Sequence, residues 1–129
     1  MSDYYADRPV LVTGGCGFIG SHLVEALLER GARVRVLGRY SSSGSWGNLE
    51  HLRGRSENLE VRLGSVSDGT FVSECVEGCD VVFHLAALIG IPYSYVAPVH
   101  NVEVNVTGTL NVLEAARRHR VGRLVHTST

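Results

Sequence analysis

The chain has 129 residues, a length suited to one domain that buries roughly two-thirds of the surface of its unfolded form. Its apolar content of 44%, charged content of 19% and net charge of −1 are typical of a soluble α/β protein. This charge offers no strong attraction to nucleic acid or to an anionic membrane, and we expect neither as a partner. The first residues include Asp3 and Asp7 and no apolar run, so we expect no signal peptide and no membrane span.

Cysteine and histidine spacings predict no disulfide framework and no metal site. The three cysteines are odd in number and lack a two-residue spacing, which indicates free thiols in a reducing cytoplasm. The six histidines are scattered without an i, i+4 pair. All 12 basic residues are arginine, so no chemical step in this chain can depend on a lysine.

Apolar patterns alternate between strand and helix along the chain. Strands are predicted at Val10–Thr13, Val34–Leu37, Leu59–Leu63, Val81–Leu85 and Leu124–Thr127. Helices are predicted at Ile19–Arg30, Thr70–Val76 and Val99–Arg118, with a short turn near Asn48–Arg53 and with Gly31 and Gly122 as C-terminal glycines. The apolar positions of the last helix form a stripe made of Val102, Val106, Leu110, Leu113 and Ala116.

This alternation predicts a parallel sheet with right-handed crossovers. The strand at Val81 is continuously apolar, as in a strand covered on both faces, whereas the strand at Leu59 alternates like an edge strand. The prediction is a doubly wound α/β fold of strand order 3-2-1-4-5, with a ligand crevice at the carboxyl ends of strands 1 and 4.

The first strand leads directly into a glycine-rich turn and a helix. Residues 15, 17 and 20 form the pattern Gly-x-Gly-x-x-Gly, with a further glycine at 14. Such a turn allows backbone to approach a pyrophosphate, and the N–H groups at the following helix start attract the anion. The strand before and the helix after supply the context that the motif requires. The alternative is a glycine-rich turn without a ligand.

Five segments in order resemble the extended short-chain dehydrogenase/reductase family, and most of all its NAD(P)-dependent nucleotide-sugar epimerases and 4,6-dehydratases. They are Thr13–Gly20, His84–Ala87, Ser94–Pro98, Asn105–Asn111 and His126–Thr129. The resemblance implies a Rossmann domain, a nicotinamide dinucleotide cofactor and a nucleotide-sugar substrate. It implies cofactor contacts at Gly14, Gly17, Phe18, Ile19, Gly20, Leu85, Ala86, Ala87 and Asn105, and a catalytic role for Thr129. The alternatives are that Asn105 only stabilises its helix, and that His84 is a packed strand-end residue.

The end of the second strand bears on the choice of cofactor. NAD-binding members of the family usually have an acidic residue there, about twenty residues past the turn, but this chain has Gly38 followed by Arg39. A guanidinium offers charge-assisted hydrogen bonds to a 2′-phosphate, which favours NADP. The alternative is a solvated Arg39 and an NAD site made by other contacts. After the third strand, Ser65 and Val66 stand where the family tends to place an aspartate against adenine, and Asp68 fits a helix cap.

The family's Tyr-x-x-x-Lys pair for hydride transfer is absent from the sequence. We therefore expect residues 1–129 to be an NAD(P)-binding Rossmann domain, truncated after the fifth strand and inactive alone, from an enzyme that is a homodimer. The alternative is a genuine short product, a non-catalytic dinucleotide-binding or partner-binding module. An open reading frame continuing past codon 129 into Tyr-x-x-x-Lys supports the first, and a stop codon supports the second. In a truncated domain the fifth strand would be an open edge of the sheet, and the apolar stripe of the last helix would lack a neighbour. We therefore expect self-association.

Overall fold

A computed structural model describes residues 3–127 as a parallel sheet with helices on both faces. The strands are β1 (Pro9–Thr13), β2 (Arg33–Arg39), β3 (Leu59–Gly64), β4 (Val81–His84) and β5 (Arg123–His126). They pair in the order β3-β2-β1-β4-β5, and every pair is parallel. The doubly wound α/β prediction and its strand order are confirmed.

The helices are α1 (Phe18–Glu29), α2 (Gly69–Val76), α3 (Ile91–Val96), α4 (Pro98–Val102) and α5 (Gly108–Arg118). A 3-10 turn covers Gly47–Leu52, and a π-helical turn covers Glu103–Thr107 between α4 and α5. None of the helices in residues 3–127 is both long and apolar enough to cross a bilayer.

Alternate residues of the central strands face two apolar layers, as the pleat of a strand requires. Leu11 of β1 and Val82 of β4 pack in the layer that α2 and α5 cover, whereas Val10 and Val12 pack in the layer that α1 covers. All four side chains are fully buried. β3 lies at an edge with partly exposed residues, as its alternating sequence predicted.

The segment from 91 to 118 differs from the single helix predicted over 99–118. The short α3 was missed, and a π-helical turn joins α4 to α5, where the Gly108 N–H donates to the Glu103 carbonyl. This turn contains Asn105, whose side chain hydrogen-bonds to the backbone of Leu88 rather than facing solvent. Such π-helical turns often occur at functional sites.

The apolar stripe of the last helix faces away from the sheet. Gly108, Val112 and Ala115 are buried against the core instead. About half or more of each of four stripe side chains is exposed: Val102, Val106, Leu110 and Leu113. The stripe is therefore an apolar surface that residues 3–127 do not cover.

Candidate nucleotide-binding site

The glycine turn lies where the ends of three strands converge. Gly14 has φ +74°, and a Cβ on it would lie 2.9 Å from the backbone nitrogen of Ala86 after β4. Its own N–H donates to the Leu37 carbonyl of β2 at 3.0 Å. A side chain at Gly20 would overlap the Gly14 carbonyl oxygen. The close approach of β1, α1 and the loop after β4 thus depends on the absence of side chains at these two glycines.

The start of α1 is open to an anion. Gly17 is the N-cap residue, and within the described residues no side chain caps this end and no acidic residue lies in its first turn. Phe18 and Ile19, the first two helical residues, are 74% and 69% exposed. Unsatisfied N–H groups and the positive end of the helix dipole therefore face solvent here, the arrangement that binds phosphate.

Thr13 joins the end of β1 to the loop after β4. Its Oγ1 accepts hydrogen bonds from the N–H groups of Leu85 and Ala86, both at 3.1 Å. Leu85 and Ala86 are partly buried, and Ala87, the third residue predicted there, is exposed. The structure thus places all three in the loop that follows β4, beside the glycine turn, with β4 ending one residue earlier than predicted.

Asn105 holds the far end of this loop. Its Oδ1 accepts from the Leu88 N–H at 2.8 Å, and its Nδ2 donates to the Leu88 carbonyl at 2.9 Å and to the Asn101 Oδ1 at 3.3 Å. The side chain therefore stabilises the loop between β4 and α3 as well as its own helix. Both anchors of the loop, Thr13 and Asn105, are uncharged.

His84, at the end of β4, is buried between two hydroxyl groups. Its Nδ1 lies 2.7 Å from Thr13 Oγ1, and its Nε2 lies 2.9 Å from Thr109 Oγ1 of α5. Burial, with a smaller effect from the stacked His126 ring, lowers the pKa of His84 from its ordinary 6.5 to about 4. The imidazole is neutral at physiological pH and is the packed strand-end residue considered among the alternatives.

The end of β2 has a free cation and no acid. Arg39 is exposed, and its side chain makes no hydrogen bond or ion pair with residues 3–127. Gly38 is buried, and a Cβ on it would lie 2.7 Å from Cys16 Sγ and 3.0 Å from a methyl of Leu63. The thiol therefore occupies the space into which an acidic side chain at Gly38 would extend.

Ser65 and Val66 follow β3, at the same edge of the sheet. The Ser65 hydroxyl bonds to Ser67, and the Val66 carbonyl accepts from Asn111 at 2.9 Å, so these groups are already engaged within the fold. The Val66 side chain is buried in the core. Asp68 caps α2 by accepting from the Phe71 N–H at 3.2 Å, as its position predicted.

Thr129, the predicted catalytic residue, lies outside the described residues. Among residues 3–127 no group of three or more histidine, cysteine or acidic side chains is placed to hold a metal ion.

Thr109 belongs to this constellation, although the sequence analysis did not select it. The Thr-Gly-Thr-Leu stretch gives no sign that its hydroxyl meets a histidine 25 residues earlier. The sequence does give a signal for Thr13, because this residue ends an apolar strand and is followed by glycines.

Comparison with known proteins identifies relatives over nearly the whole chain. A family model described as GDP-mannose 4,6 dehydratase matches residues 11–129. A dTDP-glucose 4,6-dehydratase of Streptomyces niveus is 40% identical in an alignment of 126 positions that covers 93% of this chain and 37% of that protein. A 3 beta-hydroxysteroid dehydrogenase/Delta 5-->4-isomerase of Mycobacterium tuberculosis is 39% identical in an alignment of 124 positions that covers 93% of this chain and 31% of that protein.

A solved structure has the same fold. It is a double mutant of a dTDP-glucose 4,6-dehydratase from Streptomyces venezuelae, with NAD and DAU bound. The TM-score is 0.80 at 35% identity, over 93% of this chain and 39% of that chain. The present chain thus spans about a third of the length of these relatives.

Proposed function

Because the chain belongs to the GDP-mannose 4,6 dehydratase family, we propose that it binds a nicotinamide dinucleotide as the N-terminal part of a nucleotide-sugar 4,6-dehydratase or epimerase. The family resemblance inferred from the sequence motifs is confirmed. The observation that carries the proposal is the uncapped start of α1, brought against β1 and the loop after β4 by Gly14 and Gly20.

The residues at this edge fit the cofactor. A Cβ at Gly14 or Gly20 would clash with the backbone that shapes this turn, and the N–H groups of Phe18, Ile19 and Gly20 begin a helix that no side chain caps within the described residues. In the proposal they bind the pyrophosphate, together with Gly17. When bound, the nicotinamide supplies hydride acceptance and return.

The loop after β4 borders the nicotinamide ribose in this proposal. Thr13 orients the amides of Leu85 and Ala86, and Asn105 fixes the position of Leu88, so the loop presents a defined backbone to the ligand. Ala87 is exposed between these anchors. Because both anchors are neutral, the loop adds no charge beside a dinucleotide that is already anionic.

We favour NADP over NAD. Arg39 is exposed and unpaired within residues 3–127, so its guanidinium is available to a 2′-phosphate. An acid at Gly38, the partner that a ribose 2′-hydroxyl needs, would meet the Cys16 thiol. Adenine would lie near Ser65 and Val66, where engaged polar groups leave packing as the main contribution.

The substrate proposal rests on the relatives. The Streptomyces niveus relative is named for a nucleotide sugar, and the Mycobacterium relative is named for a hydroxysteroid. The family model favours the nucleotide sugar. Thr129 would orient the substrate hydroxyl. The three cysteines are free thiols, as in proteins of a reducing compartment, and the cytoplasm is the location we propose.

Calorimetric titration of the purified chain with NADPH and NADH tests the proposal. The matched variants are Gly17→Ala and Gly122→Ala. In both, the new methyl lies 3.4 Å from its nearest neighbour, a backbone carbonyl oxygen, at a glycine whose φ is not positive. Both variants should therefore fold, but only the first adds a methyl at the start of α1.

We expect Gly17→Ala to weaken binding about tenfold or more, which corresponds to about 1.4 kcal/mol or more. Gly122→Ala, next to the N-terminal end of β5, should bind like the unsubstituted chain. Failure of a folded chain to bind either dinucleotide at millimolar concentration would refute the proposal. Equal affinities of the two variants would refute the placement of the phosphates at α1.

A further inference from the structure

A series of buried and partly buried hydrogen bonds links β1, β4 and α5 behind the glycine turn. Thr13 is fully buried and His84 is 2% exposed. Thr13 Oγ1, His84 and Thr109 Oγ1 are linked at 2.7 and 2.9 Å, and Thr109 Oγ1 donates to the Asn105 carbonyl at 2.8 Å. This series of hydrogen bonds therefore runs from the end of β1, through the end of β4, to the π-helical turn that contains Asn105.

The proton positions in this series of hydrogen bonds follow from the number of donors and acceptors that each side chain has. Thr13 Oγ1 already accepts from two backbone N–H groups, so its own proton is directed to His84 Nδ1. Nδ1 is then an acceptor, and the neutral ring carries its proton on Nε2. That N–H donates to Thr109 Oγ1, whose proton is directed to the Asn105 carbonyl. One tautomer satisfies every group.

We propose that His84 is a positioning residue for dinucleotide binding, which acts by tying the two anchors of the loop after β4 to each other through Thr13 and Thr109. The inference rests on the proposed function. The loop is attached to β1 at Leu85 and Ala86, and to the π-helical turn at Leu88. Without the imidazole bridge, no side-chain hydrogen bond within the described residues would join these two attachments.

Charge on the ring would break this arrangement. A protonated His84 would have N–H groups on both nitrogens, and Thr13 would have to give up one of its amide donors to accept from Nδ1. The titratable group facing His84 is His126 on β5, while β1 and α5 present the hydroxyls of Thr13 and Thr109. Burial, with His126 adding to it, lowers the pKa of His84 to about 4, which keeps the bridge intact at neutral pH.

Two substitutions at Thr109 separate positioning from packing. Thr109→Val preserves the shape of the side chain but removes the acceptor of the imidazole N–H. Thr109→Ser keeps the hydroxyl. Neither adds bulk. We expect Thr109→Val to weaken NADPH binding about tenfold, the effect of one lost net hydrogen bond, and Thr109→Ser to restore affinity to within about twofold.

Amide hydrogen exchange provides a readout that a purely structural role would not change in the same way. Thr109 contacts neither Ala86 nor Leu88 by hydrogen bonds, yet faster exchange at both amides is expected in Thr109→Val and not in Thr109→Ser. Faster exchange confined to α5 would overturn the coupling. Unchanged NADPH affinity in a folded Thr109→Val chain would overturn the positioning role.

Nitrogen-15 NMR of the histidine rings tests the tautomer directly. We expect the His84 ring to be neutral at about pH 6, with its proton on Nε2. A charged ring, or a proton on Nδ1, would overturn the inference. These NMR and exchange results are obtained without ligand, so they remain decisive if the unsubstituted chain binds no dinucleotide, which would refute the proposed function instead.

Discussion

Acid should destabilise this fold through His84 more than through an ordinary surface histidine. The side chain is 2% exposed, and burial, with the His126 ring adding to it, lowers its pKa from 6.5 to about 4. In the unfolded chain the same ring recovers an ordinary pKa. Between these two values the unfolded state binds a proton that the folded state does not, so stability falls as the pH falls.

The magnitude follows from the two pKa values of the folded and unfolded ring. Each pH unit between them changes the free energy of unfolding by about 1.36 kcal/mol, for a full effect of about 3 kcal/mol. At about pH 5 the loss is already about 2 kcal/mol, because the unfolded ring is almost fully charged there. That is a large fraction of the stability of a small domain, which is about 5–15 kcal/mol.

Urea denaturation of the unsubstituted chain and of His84→Asn, at a series of pH values, isolates this contribution. The asparagine retains an acceptor for the Thr13 hydroxyl but does not titrate. We expect the unsubstituted chain to lose about 2 kcal/mol more than the variant between about pH 7.5 and about pH 5. Added salt should leave this difference unchanged, because a buried group is little screened. Parallel curves for the two proteins would refute the burial of a neutral ring.

Two further predictions concern the ends of the sheet and the uncovered helix face. Gly38→Asp alone should weaken NADPH binding without improving NADH binding, because the carboxylate meets the Cys16 thiol. In the double variant with Cys16→Ala, titrations should show the ratio of NADH affinity to NADPH affinity shifted about tenfold toward NADH. An unchanged ratio in the double variant would count against the steric argument. Sedimentation should show concentration-dependent self-association that Leu110→Glu reduces and that Thr70→Glu, at an exposed position of α2, does not reduce, whereas a monomer at all concentrations would contradict it.

The strand order could be predicted because buried strands and edge strands differ in their pattern of apolar residues. The continuous apolar run at Val81–His84 distinguishes a strand covered on both faces, and the alternation at Leu59–Gly64 distinguishes an edge. Helix ends were less readable. Gly31 does take the left-handed conformation after α1 at φ +81°, but after α5 that conformation falls on Arg120, at φ +55°, and not on Gly122. Propensity favours glycine at such a position without requiring it.

The segment between β4 and α5 exceeded what periodicity could show. The six residues of α3 are too few to establish a helical pattern, and the π-helical turn shifts the phase of the following helix. The turn also makes a contact across the fold, the pairing of Asn105 with the backbone of Leu88, which periodicity does not show. The same holds for His84, whose bridge to Thr109 is a long-range pairing that no local pattern announces.

Binding and turnover depend on different groups in this chain. The proposed dinucleotide contacts need only backbone N–H groups, glycines and neutral anchors, and these converge at the carboxyl ends of β1 and β4. Moving a proton to or from a substrate oxygen needs a titratable group near its working pH. The His84 ring is buried and remains neutral, with both nitrogens engaged, so it is unsuited to that role.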